Sequence, residues 1–211
     1  MKPTLEAGYP VQSLEYWLSP ELAKVSPPEA PSRLRQLADA QGTLAAGWSS
    51  AITGGPVLAL TGTYGSILSG NLSWLIVLGL IGTALTVVGV LSWKRVRTTL
   101  PTSDKSLITR GPGSARGGIT TMAVFAGLTG AALATALPAA AERGTTGALI
   151  GAYLLIVALL GACILVPSIV LGRARKSFRR RLDADPGFRK AVEDDLASWR
   201  DPYGHAGYGP L

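Results

Sequence analysis

The sequence predicts an all-α integral membrane protein: a four-span transmembrane helical bundle with a cytoplasmic N-terminal arm and a C-terminal amphipathic helix. Of its 211 residues, 47% are apolar and 16% are charged, a balance typical of membrane proteins. Long stretches without any charge alternate with short basic segments. Because about 20 apolar residues in a helix cross a hydrocarbon core of ~30 Å, these stretches predict transmembrane helices.

Residues 1–46 form the predicted cytoplasmic arm. Six prolines interrupt this segment, so we expect only short helices in it. Ser19 followed by Pro20 indicates one helix start, and Ser32 indicates a second. The second helix has apolar residues at helical spacing, which predict a face for the membrane surface or a partner: Leu34, Leu37, Leu44 and Trp48.

Residues 47–68 and 72–93 are the first two predicted spans of a membrane domain that covers residues 47–172. The 54 residues from 40 to 93 carry no charge, too many for one span and enough for two joined by a turn at residues 69–71. Serines and threonines dilute the predicted first span and Gly54-Gly55-Pro56 would bend it, which leaves a re-entrant segment as the alternative. We expect a full span because hydroxyl groups can bond to their own helix.

The remaining membrane domain contains a basic loop at residues 94–116 and two further spans, at residues 118–141 and 146–172. The loop carries six Lys or Arg residues and one acid. Cytoplasmic flanks of transmembrane helices carry such an excess of positive charge. The sequence therefore predicts a multi-pass protein of a bacterial plasma (inner) membrane with both termini in the cytoplasm.

A basic collar opens the C-terminal segment, residues 173–211. Its six cations either serve as a topogenic signal alone or bind anionic lipids at the cytoplasmic leaflet. These candidate lipid-binding residues are Arg173, Arg175, Lys176, Arg179, Arg180 and Arg181.

An amphipathic helix is predicted after the collar, with Asp185 as its cap and Pro186 as its first residue. It carries an apolar stripe that suits either folding back on this chain or binding a protein partner. The stripe consists of Phe188, Val192, Leu196 and Trp199. The last nine residues, which include the only histidine, His205, are predicted to be an irregular tail.

Small residues at four-residue spacing allow close approach of helix backbones. Gly147 with Gly151 is therefore a candidate partner-binding pair. Two similar pairs lie in the third span: Ala126 with Gly130, and Gly127 with Ala131. Packing within the chain explains these pairs as well as a binding face does.

The predicted spans contain no Asp, Glu, Lys, Arg or His, whereas proton relays and ion paths normally require such groups. No recognised catalytic or cofactor motif is present, and the single cysteine excludes an intramolecular disulfide and a multi-cysteine metal site. We therefore expect no enzyme activity, catalytic residue, cofactor, metal or small-molecule substrate. The basic residues flank apolar spans, so nucleic acid is not the expected partner either.

These observations favour a non-catalytic accessory or structural subunit of a larger bacterial membrane protein complex. In its Ala- and Gly-rich composition the chain resembles small membrane proteins of high-GC bacteria. Some of those proteins are accessory subunits of respiratory supercomplexes, so an electron-transport supercomplex is the candidate assembly. The alternative is a small oligomeric transporter or channel lined by the hydroxyls of the first span. A surface enzyme is a third hypothesis, with Asp194, Asp195 and His205 as its acid–base groups.

Overall fold

The computed structural model of the protein describes residues 12–27, 32–101, 113–200 and 207–211. Within these ranges almost every residue is helical and no β-strand occurs, which confirms the all-α class. The elements are α1 (Leu14–Trp17), α2 (Pro20–Val25), α3 (Arg33–Ser69), α4 (Ser73–Thr98), α5 (Ala115–Ala134), α6 (Leu137–Glu142), α7 (Thr146–Leu160), a π-helical segment (Gly161–Leu165), α8 (Val166–Gly172), α9 (Ala174–Ala184) and α10 (Pro186–Ser198).

Three helical stretches are long and apolar enough to cross a membrane: α4, α5 and the continuous stretch from α7 to α8. They support the membrane class predicted from the sequence. Helix α3 is longer, with 37 residues, but it is more polar and is not one of the three. It joins the predicted arm helix and the predicted first span into one element, about 55 Å long.

The predicted helix starts at Ser19, Ser32 and Asp185 are confirmed. Each side chain accepts a hydrogen bond from a backbone N–H in the first turn of the helix that follows. These caps satisfy donors that have no partner inside their helix. Pro at the first position of α2 and of α10 adds a backbone angle already suited to a helix.

Helices α3 and α4 form an antiparallel hairpin. The predicted turn is confirmed: Gly70 adopts φ +66°, a left-handed conformation that favours glycine at a helix C-terminus. Gly55 lies against Gly82, and a Cβ on either residue would overlap the backbone of the opposite helix. At the turn, the Ser66 hydroxyl accepts a hydrogen bond of 2.9 Å from the N–H of Leu75. The two helices are therefore in contact backbone to backbone.

Helix α3 is the central element of an open row of helices. Helix α4 packs on one side of it, and α7, the π segment and α8 pack on the other. Helix α5 packs against α7, the π segment and α8, on the side away from α4. Within the described ranges no extensive contact joins α4 to α5. Most of the surface of these two outer helices therefore faces outward.

Two prolines change the predicted course of the later spans. The predicted third span ran to residue 141, but α5 ends at Ala134 and Pro138 lies in the first turn of the separate helix α6. A proline inside a helix disturbs its hydrogen bonding, and just before Pro167 of the predicted fourth span the helix widens into the π segment. The Thr53 hydroxyl of α3 lies 3.3 Å from the Ala162 carbonyl of that segment.

The buried core lies beyond the basic ends of the apolar helices. There, the described part of the N-terminal arm and the start of α3 meet the C-terminal segment. We call this core the terminal cluster. Its buried members come from the arm, from α3, from α9 and α10, and from the last residues: Leu14, Leu34, Leu37, Ala38, Phe178, Leu182, Phe188, Val192 and Tyr208. Leu34 and Leu37 of the predicted arm-helix face therefore share one core with the predicted stripe of α10, whereas Leu44 and Trp48 do not belong to this core. Apolar burial of this kind is the main favourable contribution to such a cluster.

The segment Gly207–Leu211, predicted to be an irregular tail, is docked on the start of α3. The N–H groups of Arg33 and Leu34 donate to carbonyls of this segment at 3.1 and 2.9 Å, and the Ser32 hydroxyl donates to the Pro210 carbonyl at 2.7 Å. Tyr208 is buried in the terminal cluster. The segment thus supplies partners for first-turn donors of α3, although it forms no helix or strand.

Replacing Leu37 by Ala tests the terminal cluster, because Leu37 is fully buried. We expect Leu37→Ala to lower the free energy of unfolding of the cluster by roughly 2–5 kcal/mol. The measurement is the urea dependence of proteolysis within α9 and α10 in detergent-solubilised protein. The control is Leu60→Ala on the same helix, where the side chain is 59% exposed and we expect a change within about 0.5 kcal/mol. Equal effects of the two variants would contradict the assigned core.

Candidate functional site

An ion pair at the terminal cluster joins the first residue of α3 to α10. Arg33 donates from Nε and Nη2 to the two carboxylate oxygens of Asp195, at 3.0 and 2.7 Å. The Arg33 and Asp195 side chains are only 12% and 16% exposed, so water screens the pair weakly. This bidentate geometry fixes the direction of α10 relative to the start of α3.

Tyr208 joins this ion pair from the last residues. Its hydroxyl donates to the Val192 carbonyl at 2.9 Å and lies 3.1 Å from the Asp195 carboxylate. Burial raises the pKa of Tyr208 well above its usual range, and the nearby Asp195 carboxylate raises it further. The neutral phenol is therefore a structural part of the cluster.

A second bidentate pair connects the basic collar to α3. Arg175 donates to both carboxylate oxygens of Asp39, at 3.1 and 2.8 Å, and each side chain is 43% exposed. The hydrogen bonding to Asp39 raises the pKa of Arg175. Nearby Arg35 donates to the Pro27 carbonyl at 2.6 Å, and its pKa is lowered by burial and by Arg175. Part of the predicted lipid-binding collar is thus engaged within the chain.

A cavity of about 540 Å³ lies between α3, α4 and α9, next to the terminal cluster. It is bounded by residues from α3, α4, α8 and α9. Its apolar wall includes Ala45, Trp93, Val96 and Val170, and its cationic side is formed by Arg97, Arg180 and Arg181. In the same wall, Gln41 donates to the Val96 carbonyl of α4 at 2.9 Å.

Arg181 has the most unusual environment of the six collar residues. Its guanidinium lies 3.9 Å from the centre of the Phe188 ring, while its Nη1 and Nη2 atoms are buried and have no hydrogen-bond partner in the part of the chain that is described. Burial lowers the pKa of Arg181; Asp185 opposes this effect and Arg97 adds to it. Burying charged nitrogens without hydrogen bonds costs free energy, so an acceptor that reached these two atoms would stabilise the site.

The other collar residues have different surroundings. Arg179 donates to the Leu18 carbonyl at 3.1 Å, which connects the arm to α9. Arg180 is exposed at the mouth of the cavity, and Arg173 and Lys176 are exposed outside the set of residues that lines it. The collar therefore divides into residues that hold the fold, residues at the cavity and residues facing solvent.

The predicted partner-binding stripe of α10 folds back on this chain. Phe188 and Val192 are 4% and 0% exposed, and Leu196 and Trp199 pack against the same core. The first two side chains are unavailable to a partner, so a docking role does not fit them. The stripe instead packs against this chain, which is the other possibility that the sequence left open.

The small-residue pairs divide between packing and exposure. Gly151 lies against the Tyr64 ring of α3, whose hydroxyl donates to the Ala148 carbonyl at 2.9 Å. A Cβ on its pair partner, Gly147, would meet nothing within 4 Å. Of the predicted docking pair, Gly151 therefore packs inside this chain, whereas the Cα of Gly147 faces open space.

Sequence patterns missed residues whose partners lie far along the chain. Arg33 and Asp195 are separated by 162 positions, and nothing in either segment indicates the pair. Arg97 was predicted only as a cation of the basic loop. Its position on α4, one turn after Trp93, was a usable signal for a cationic site at the membrane boundary.

The described residues include no group of three His, Cys, Asp or Glu side chains placed to hold a metal ion. Of the acid–base groups of the surface-enzyme hypothesis, Asp195 is engaged with Arg33, and His205 lies outside the described residues. Comparison of the chain with protein-family models, curated proteins and solved structures found no match.

The pKa of Tyr208 gives a prediction about pH. Because the folded-state pKa is raised, its stabilising contribution is complete below about pH 10, the ordinary tyrosine value, and is lost as the pH rises above it. We expect the urea midpoint of the terminal cluster to fall more steeply above pH 10 in the native protein than in Tyr208→Phe. Identical slopes between pH 9 and pH 11 would contradict the buried, neutral phenol.

Proposed function

We propose that this protein is a non-catalytic accessory subunit of a larger membrane protein complex. The observation that carries the proposal is the outward position of Gly127 and Ala131 on α5. A Cβ on Gly127 would meet nothing within 4 Å, and the neighbouring Val124 and Leu128 are 54% and 64% exposed. Small residues four positions apart allow another helix to approach closely, so this face suits a helix of another subunit.

The position of α5 in the row strengthens this argument. Another small residue of α5, Gly130, faces inward and packs near Tyr153, whose hydroxyl donates to the Ala126 carbonyl at 3.2 Å. The inward face of α5 therefore already has its partners. The outward face with Gly127 lies at the open end of the row, where a further helix extends the same packing.

A fourth membrane span is part of the proposal, and the register of α3 on α4 supports it. Gln41 bonds to Val96 near the basic end of α4, and Ser66 bonds to Leu75 near its other end. The intervening residues of α3 therefore follow the whole apolar length of α4. Hydroxyls in this stretch bond to carbonyls of their own helix, for example Thr61 to Val57 at 2.8 Å. This lowers the cost of placing a polar helix in lipid.

Four spans would place both ends of the protein on one side of the membrane. The described parts of the basic loop, at the end of α4 and the start of α5, lie at the same end of the helices as the collar, and an excess of Lys and Arg marks the cytoplasmic side. We accordingly propose a bacterial plasma membrane location with cytoplasmic termini. The terminal cluster then forms a small cytoplasmic domain.

The absence of ionisable residues from the apolar stretches supports a role without chemistry. The hydroxyls of α3 that bond within their own helix are also poorly placed to line a channel. A respiratory supercomplex remains the candidate assembly, on the strength of the compositional likeness alone. The catalytic work of such an assembly would belong to other subunits.

Extraction of native membranes in mild detergent tests the subunit role. We expect the protein to migrate with an assembly much larger than itself on a native gel. Gly127→Leu places a bulky side chain on the proposed docking face, where an added Cβ meets nothing within 4 Å, so it should reduce this co-migration severalfold while leaving membrane insertion unchanged. Gly79→Leu on α4 is the control, because an added Cβ there also meets nothing within 4 Å.

Two results would contradict the proposal. Equal co-migration of Gly127→Leu and the native protein would show that α5 does not form the interface. Migration of the native protein as a monomer or small homo-oligomer, with solute flux in liposomes, would instead favour the oligomeric channel.

A further inference from the structure

We propose that the cavity between α3, α4 and α9 binds the phosphate group of an anionic phospholipid. Arg181, whose two terminal nitrogens are buried, is its central ligand, and the exposed Arg97 and Arg180 complete the site. This inference goes beyond the subunit role and applies equally to the isolated protein. Of the six predicted lipid-binding cations, the proposal keeps Arg180 and Arg181 of α9, and it adds Arg97 of α4.

The first step of the argument is the environment of Arg181. Its two terminal nitrogens are buried and lack hydrogen-bond acceptors in the described structure, and one face of the guanidinium is covered by the Phe188 ring. Guanidinium groups bind phosphate oxygens in a bidentate manner, and such charge-assisted bonds are about twice as strong as neutral ones. A phosphate in the cavity would supply the acceptors that Arg181 needs.

The second step is the charge balance around the cavity. Arg97, Arg180 and Arg181 line it, and no acidic side chain does so among the described residues. The Asp185 carboxylate attracts Arg181, but it does not line the cavity, and it accepts hydrogen bonds from two N–H groups in the first turn of α10, at 3.0 and 3.1 Å. Asp39 is engaged by Arg175. The cavity lining therefore presents three cations and no carboxylate, a charge that a bound anion would balance.

The third step is the amphipathic shape of the cavity, which favours a lipid over a free ion. The cationic residues lie beside an apolar wall formed by Trp93, Val96 and Val170, near the basic end of a helix that is apolar enough to span. Tryptophan is enriched at the membrane–water interface, and basic pockets between membrane helices bind anionic head groups. The volume of about 540 Å³ lies within the range of small-molecule sites. A lipid could thus place its phosphate at the arginines and its glycerol and upper acyl chain along the apolar wall.

The test uses the full-length protein in detergent and native mass spectrometry with added dioleoyl-phosphatidylglycerol. We expect one lipid to be retained at low lipid concentration, and dioleoyl-phosphatidylcholine to bind at least roughly tenfold more weakly. Arg181→Gln should weaken phosphatidylglycerol binding by roughly tenfold or more, because a buried charge-assisted contact is lost. Arg181→Lys should bind with intermediate affinity, since Lys retains the charge without the bidentate geometry.

Matched controls separate a site from general attraction to positive charge. Arg173→Gln removes the same charge from the collar at an exposed position outside the cavity, and it should weaken binding by less than about fivefold. Because Arg181→Gln could disturb the fold, the exposed pair on α4 provides a second comparison. Arg97→Gln should weaken binding severalfold more than Arg95→Gln, which lies two residues away and does not line the cavity.

Three results would overturn the proposal. Equal weakening by Arg181→Gln and Arg173→Gln, together with equal effects at Arg97 and Arg95, would show a diffuse electrostatic surface. Equal retention of phosphatidylcholine would show that the site does not select an anion. Displacement of phosphatidylglycerol by inorganic phosphate at the same concentration would assign the site to free phosphate instead of lipid.

Discussion

All parts of the described structure depend on one continuous helix, α3, and on the small residues that let its neighbours approach it. Gly55 brings α4 into contact with its backbone on one side. Gly42 does the same for α9, because a Cβ there would overlap Ala174. The same helix therefore runs beside the apolar α4 and continues into the terminal cluster. A bulky residue at either glycine would move a neighbouring helix. The backbone of Gly82, opposite Gly55, and the Cβ of Ala174, opposite Gly42, cannot rotate away as a long side chain does.

Local signals in the sequence were sufficient for many elements, but not for the separate helix α6 or for the continuity of α3. Helix starts at Ser19, Ser32 and Asp185, the turn at Gly70, and the apolar helices were all predicted, because caps, turns and hydrophobic length depend on residues close together in the chain. Whether α3 spans the membrane was harder to predict. Its polar residues lower the hydropathy of α3, and only the register with α4 shows that these residues lie alongside an apolar helix.

The candidate site was only partly predictable, since it depends on which distant segments meet. The six collar cations look alike in sequence, yet Arg175 pairs with Asp39 while the terminal nitrogens of Arg181 are buried beside Phe188. The stripe of α10 was compatible with a partner or with this chain, and hydrophobic spacing alone does not distinguish them. Pro167 indicated an irregularity in the fourth span, but its form as a π segment depends on the surrounding helices.

The docking of Tyr208 and Pro210 on the start of α3 has a consequence for biosynthesis. The contacting positions Ser32 and Pro210 are 178 residues apart, so the ribosome must synthesise almost the entire described chain before they can meet. At about 5–20 residues per second, the first residues of α3 wait roughly 10–35 s for these partners. The apolar helices emerge earlier and can enter the membrane first. Closure of the terminal cluster is therefore a late step, and the unpaired apolar face with Leu34 and Leu37 is exposed to chaperones until then.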